Sequence, residues 1–348
     1  MKRVQLLLLA VLTLLLTTCQ QGPEGSFLDE SGAWLRAQPS WPPRPAEARV
    51  TYLAEISNSR GLASRRFWSG RAGESTVAEV DRSFVRPAAL CVSGDLLAVA
   101  DPGQGALHLL DLVERTWTTT TGTSEGTLAS PVGVACLPDG RVVVSDSVRQ
   151  ALWVYDASGA PQGRFTDSEL QRPTGLALDP SSARLWVTET LAHRLRRFDL
   201  SGQALDQFGA RGGALGRFNY PTMIASDREG GLWVTDSLNS RLQHLDASGE
   251  ADRFFGTVGG RAGAFARPRG LAIDRAGRIF VVDALFDAVQ IFDGEGKLLM
   301  VFGERGIGPG QFWLPSDVAL DEQERIYVAD SYNQRIQIFT YRAPKAAE

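Results

Sequence analysis

This 348-residue chain has three cysteines, three histidines and three methionines. It has no run of more than two Lys/Arg residues, and its formal net charge is −4. A nucleic-acid binder needs a basic stripe, so that class is disfavoured. There is no G-x-S-x-G elbow, and three histidines leave little material for a Ser or Cys triad. The Gly-rich stretch GARGGALG, 209–216, is followed by a strand pattern instead of a helix, which excludes a phosphate loop. No apolar run is long enough to span a bilayer comfortably; the longest, Val4–Leu16, has signal-peptide length.

What is present is alternation. Apolar residues recur at a spacing of two, the strand period, and the 36 glycines and 17 prolines supply many turns. The stretch RIYVADSYNQRIQIF (325–339) has near-copies at 231–245 and 184–198. Six segments align, each beginning at a proline: Pro87, Pro131, Pro173, Pro221, Pro268 and Pro315. Each reaches an acid 14 to 16 residues later: Asp101, Asp146, Glu189, Asp236, Asp283 and Asp330. A 40–50-residue period with strand patterning is the signature of propeller blades. The expected fold is all-β, a six-bladed β-propeller of four-stranded antiparallel blades. The sixth repeat lacks its fourth strand, and residues 48–57, ARVTYLAEIS, are expected to supply it and close the ring. Phe84, Leu128, Leu170, Phe218, Phe265 and Phe312, three residues before each proline, form an expected apolar plug between blades.

The segments 306–339 and 260–283 resemble the NHL-repeat family of six-bladed propellers, and the resemblance extends over about 84–340. It implies a fold more than a function, because propellers host many activities. Relatives include protein- and RNA-binding domains, sensor domains and an amidating lyase; tethered bacterial members look like binding or scaffold modules. The lyase branch is expected to place zinc histidines just after the repeat proline, and those positions hold none here.

The N-terminus is separate. Lys2 and Arg3 precede the apolar run, and Leu16-Thr17-Thr18-Cys19 resembles a bacterial lipobox. The expectation is a signal peptide over 1–18, lipidation at Cys19, and a flexible tether over 19–47 reaching roughly 30 Å. The propeller follows over 48–342, with a disordered tail at 343–348. Gln20 after the lipidated cysteine favours the outer membrane. Cys91 and Cys136 fall on innermost strands of different blades, one register position apart. Their side chains are therefore expected to point in opposite directions, as two buried structural thiols.

Six acids used identically, five Asp and one Glu, imply shared architecture, because a catalytic residue normally appears once. An Asp that opens a turn accepts hydrogen bonds from backbone N–H groups two residues on. Arg241 and Arg335 stand five residues after their acids, as does Arg194, and they either pair with a neighbouring acid or offer donors to anions. Together with Arg269, Asn239, Asn333, Tyr332 and Phe286 they mark the expected contact surface, at the end shared by the prolines and the second-to-third turns. His108, His193 and His244 occupy different places in the repeat and do not converge as a zinc site would require. No cofactor, metal or catalytic residue is indicated. The leading expectation is a monomeric, membrane-tethered, extracytoplasmic module binding a protein or peptide through one face. The alternatives are a hydrolase, lyase or lactonase-like enzyme with a channel metal, and a small-ligand sensor.

Overall fold

The computed structural model describes residues 26–28, 34–36, 39–42, 49–63, 82–165, 170–179 and 181–342. Cys19, the expected signal segment and the expected tail over 343–348 lie outside the described residues. Two compact units divide at Pro39/Ser40. In the first, Ser26–Leu28 pairs antiparallel with Trp34–Arg36. The second, Ser40–Glu348, contains the propeller.

Six sheets follow one another, as the repeat predicted. Blade two shows the pattern: Pro131–Cys136 is innermost, then Val142–Asp146, Ala151–Tyr155 and Pro161–Arg164, each antiparallel to its neighbour. The two middle strands are fully buried, because both of their faces meet adjacent blades. The outer strand is mostly exposed. A single sheet of this kind would leave an apolar face in water; six stacked in a ring leave none.

The last blade consists of Asp317–Leu320, Arg325–Asp330 and Arg335–Tyr341, completed by Val50–Ile56 from the N-terminal side. That strand runs antiparallel to Arg335–Tyr341, from Tyr341↔Val50 to Ile336↔Ile56, and closes the ring as expected. A further two-residue strand, Ser40–Trp41, pairs outside it. The Trp41 ring packs 5.8 Å from Phe302 and 6.0 Å from Phe339. The unit that contains the propeller therefore begins at Ser40, inside the expected tether. Trp41 anchors it there by covering apolar rings of blades five and six.

The plugs are deeply buried: Phe84, Phe218, Phe265, Phe312, Leu128 and Leu170 are at most 5 % exposed. Each such Phe contributes about 2–3 kcal/mol of burial. Their seats depend on glycine. Gly209, Gly256 and Gly303 have φ of 90–110°, and a Cβ at any of them would come within 2.5 Å of the following plug ring.

Consecutive blades are also tied together around the channel. Ser145 Oγ donates to the Thr174 carbonyl at 2.6 Å, Thr190 Oγ1 to that of Pro221 at 2.8 Å, and Thr235 Oγ1 to that of Arg269 at 2.7 Å. Gly270 N–H donates to the Ser316 carbonyl at 3.0 Å. Blade six holds blade one through Ser331 Oγ, which donates to the Pro87 carbonyl at 2.5 Å, and through Asp317 Oδ2, which accepts from Leu90 N–H at 2.8 Å.

The link between blades one and two corrects the cysteine expectation. Cys91 and Cys136 form a disulfide, with Cα atoms 6.0 Å apart. Side chains on opposite faces of equivalent strands do point apart within one sheet. In a ring, however, one face of each blade packs on the opposite face of the next, so that same register brings the two together.

Candidate functional site

The six turn acids are fully buried. Each fastens the linker entering its blade. Asp146 accepts from Ala129 and Ser130 N–H at 2.7 and 3.1 Å, and from Val148 N–H, two residues on, at 3.1 Å. Asp101 does the same with Val85, Arg86 and Gly103. Asp283 does so with Ala266, Arg267 and Leu285. The Glu189 carboxylate takes Gln171 N–H and pairs with Arg194. These hydrogen bonds tie each carboxylate to its own turn. Among the described residues no group of three or more His, Cys, Asp or Glu side chains could hold a metal ion.

Asp236 and Asp330 add a side-chain shell. Asp236 Oδ2 receives Asn239 Nδ2, Arg241 Nε and Gln243 Nε2 at 2.7, 2.8 and 3.0 Å. Asp330 Oδ2 receives Asn333, Arg335 and Gln337 in the same way. The remaining donors of Arg241 and Arg335 go to interblade-loop carbonyls, Ala214 and Arg217 in one case and Gly308 and Gln311 in the other. Arg335 also reaches Glu55 of the closing strand at 2.6 Å.

This removes Arg241 and Arg335 from the expected contact surface. Both are 6 % exposed, and their planar forks are used to hold a loop against a buried carboxylate. Asn239 and Asn333 are likewise engaged, donating to Gly212 and Gly306 carbonyls. Phe286 is half-buried in its turn, and Tyr332 is exposed, its ring 5.6 Å from that of Trp313.

Arg269 is different. It lines a cavity of about 310 Å³ at the end of the channel where the repeat prolines sit. Arg86, Arg172 and Arg267 line the same mouth, as does Tyr332, and no carboxylate does so among the described residues. Several hydroxyls also line it, including Thr174, Thr190, Ser316 and Ser331, but these donate to backbone carbonyls or to one another. The guanidinium of Arg269 makes no hydrogen bond or ion pair with the described residues. Burial pulls its pKa below the ordinary arginine range, the neighbouring Arg267 and Arg86 add repulsion, and Tyr332 and Asp317 oppose the shift. Asp317 lies beneath, where Gly270 makes room for it: a Cβ at Gly270 would lie 2.0 Å from Asp317 Oδ1. Burial pushes the Asp317 carboxyl up to about 7, against the pull of its Leu90 and Val318 N–H bonds and of Arg269. The mouth therefore carries concentrated, weakly neutralised positive charge.

Three of these arginines were not anticipated, yet the sequence marks them. Arg86-Pro87, Arg172-Pro173 and Arg267-Pro268 are the same dipeptide at the same point of three repeats. Proline starts the innermost strand, so the residue before it stands at the channel edge.

The histidines are separately employed. His108 Nδ1 accepts from Trp117 Nε1 at 3.1 Å, His193 Nδ1 accepts from Tyr220 N–H at 3.1 Å, and His244 lies between Asp227 and Asp252 at 2.9 and 2.7 Å.

Residues 312–339 match the model of the NHL repeat. The chain carries this NHL-repeat match in its last blade and folds as a six-bladed propeller. Among solved structures, a Bacteroides thetaiotaomicron protein of unknown function aligns with a TM-score of 0.62 at 15 % identity, covering 84 % of this chain and 76 % of that one. Virginiamycin B lyase from Staphylococcus aureus aligns with a TM-score of 0.56 at 15 % identity, covering 74 % and 96 %. An auxiliary nutrient binding protein from Bacteroides ovatus aligns with a TM-score of 0.58 at 14 % identity, covering 75 % and 70 %. Comparison with curated proteins gives no match. At these identities the likeness is one of fold alone.

Proposed function

We propose that this chain is a non-enzymatic binding module that seats an anionic group of its partner in the arginine-lined mouth. One observation carries the reading. Arg86, Arg172, Arg267 and Arg269 converge on one opening that no carboxylate lines among the described residues, and the Arg269 guanidinium makes no hydrogen bond or ion pair with those residues. Guanidinium forks match carboxylate and phosphate oxygens, and partial burial strengthens the attraction. A protein or peptide partner would present an acidic side chain or its C-terminus here. A nutrient binding protein among the structural neighbours is compatible with a binding role. A small anionic ligand is a second reading, favoured by the enclosed volume of about 310 Å³, which suits a compact molecule.

The leader and Cys19 support export and a lipid anchor, leaving the domain in the periplasm or at the cell surface. The disulfide between Cys91 and Cys136 is compatible with that oxidising setting.

The test is capture from native membranes with mild cross-linking. Wild type is expected to retain a partner that the Arg267→Glu, Arg269→Glu variant loses at unchanged melting temperature. Equal capture by both would place the site elsewhere. Competition by glycerol phosphate or acetate would locate the anion in the mouth.

A further inference from the structure

We propose that the arginine-lined face rests on a lipid bilayer, with apolar turn tips entering the headgroup region and the arginines taking the phosphates of anionic phospholipids. The proposal rests on the mouth being an anion site and names the molecule that brings the anion.

The second-to-third turns carry the first argument. Two residues after its acid, each of blades two to six places an apolar side chain: Val148, Leu191, Leu238, Leu285 and Tyr332. All are exposed, Val148 by 67 %, Leu238 by 64 % and Leu285 by 57 %. Blade one has Gly103 there, where a Cβ would come within 2.8 Å of Val85 Cγ1, and Val85 itself supplies the exposed side chain. Turn tips ordinarily carry Asn, Asp, Ser or Gly, and none of these apolar residues is needed for the core. The interblade loops at the same end add Val258 and Ile307, exposed by 79 % and 77 %. Of the fifteen large apolar side chains exposed on the described surface, ten lie on the turns and loops of this end.

The arrangement favours a plane. Equivalent turns of a propeller form a ring about the channel axis, so the tips reach a common level. Each tip is a single exposed side chain on its own turn. A folded partner would need a separate pocket for each tip, whereas a bilayer receives each independently. Trp313 and Tyr332, in tilted contact at this rim, are the aromatic types that concentrate at the membrane–water boundary. The four arginines at the centre of the ring supply charge complementary to an anionic surface.

The experiment uses residues 40–348, the compact unit that contains all six closed blades, so that no N-terminal lipid contributes. Flotation is measured with phosphatidylcholine vesicles and with phosphatidylcholine–phosphatidylglycerol vesicles. The unit is expected to float with the mixed vesicles and at least tenfold less with the neutral ones. Leu238→Glu with Leu285→Glu is expected to abolish flotation at unchanged melting temperature, whereas Leu299→Glu on an outer strand changes neither. Arg269→Ala is expected to lose both flotation and calorimetric binding of glycerol phosphate. Failure of wild type to float, or flotation that survives the double Glu variant, overturns the proposal. If glycerol phosphate or an acidic peptide still binds the mouth while vesicles do not, lipid docking falls and the anion-binding reading stands. If neither binds, both fall.

Discussion

At one end of the channel four arginines line the opening, and no carboxylate lines it among the described residues. At the other, a smaller cavity of about 190 Å³ is lined by Asp227, Asp274, Asp321 and Glu324 together with Arg228 and Arg275. There the charges are matched. Asp274 holds Arg278 at 2.5 Å, Asp321 holds Arg325 at 2.5 Å, and Asp227 holds His244 at 2.9 Å. Both ends are built by the same repeat, and both use a carboxylate to close a turn. For Asp274 and Asp321 the cation follows four residues later on the adjoining strand, so those two turns neutralise themselves. At the mouth the acid is buried and satisfied by backbone N–H groups of the linker, which leaves the arginines before and after the prolines free to face outward. Neutral construction at one end and a charge excess at the other give the wheel a direction.

The largest effect should come from removing the element both ends share. Deleting Val50–Ile56 leaves Arg335–Tyr341 as an open edge, and the cooperative unfolding transition is expected to disappear. Near-UV circular dichroism of that variant reads the loss. Next, an acid at the mouth end should matter more than one at the matched end. Asp236→Ala strands Arg241 as a buried cation and is expected to cost about 3–5 kcal/mol in urea unfolding. Asp274→Ala leaves Arg278 able to stack on the Tyr341 ring 4.6 Å away, and should cost about 1–2 kcal/mol. Equal costs would erase the distinction between buried and self-neutralising turns.

Asp317 gives a pH-dependent effect. Its folded pKa, near 7, lies above its unfolded value, so the native state holds the proton more tightly. Its contribution to stability is present below about pH 4 and is lost as pH rises towards 7. Asp317→Asn keeps an acceptor for Leu90 N–H and is expected to raise stability at pH 8 by about 1–3 kcal/mol, with little change near pH 4. Urea midpoints at the two pH values decide it. The smallest stability effect belongs to Arg267→Glu with Arg269→Glu. It should alter urea stability by about 0.5 kcal/mol or less while abolishing anion capture. Arg275→Glu at the other end should leave capture intact.

Particular residues show what could be read in advance. The six prolines, the plugs and the closing strand announce themselves because each repeats or is conspicuously missing from a repeat. The turn acids are legible for the same reason. Arg241 and Arg335 could not be resolved from spacing alone. Five residues from an acid is equally compatible with an ion pair and with a free rim donor, and burial settles which. The disulfide was misread because register within one sheet says nothing about which faces two sheets turn toward each other. The arginines before Pro87, Pro173 and Pro268 were visible as a repeated dipeptide, but only a closed ring shows that positions 86, 172, 267 and 269 share one opening.

The sequence by itself determined the number of blades, their strand order and the N-terminal closure. These follow from local periodicity and from the need of each sheet to cover an apolar face. The tertiary structure alone decided which charges are consumed internally and which converge, because that depends on how six copies are brought around a common axis. Residues more than 180 positions apart in the chain, such as Arg86 and Arg269, become neighbours only when the ring closes.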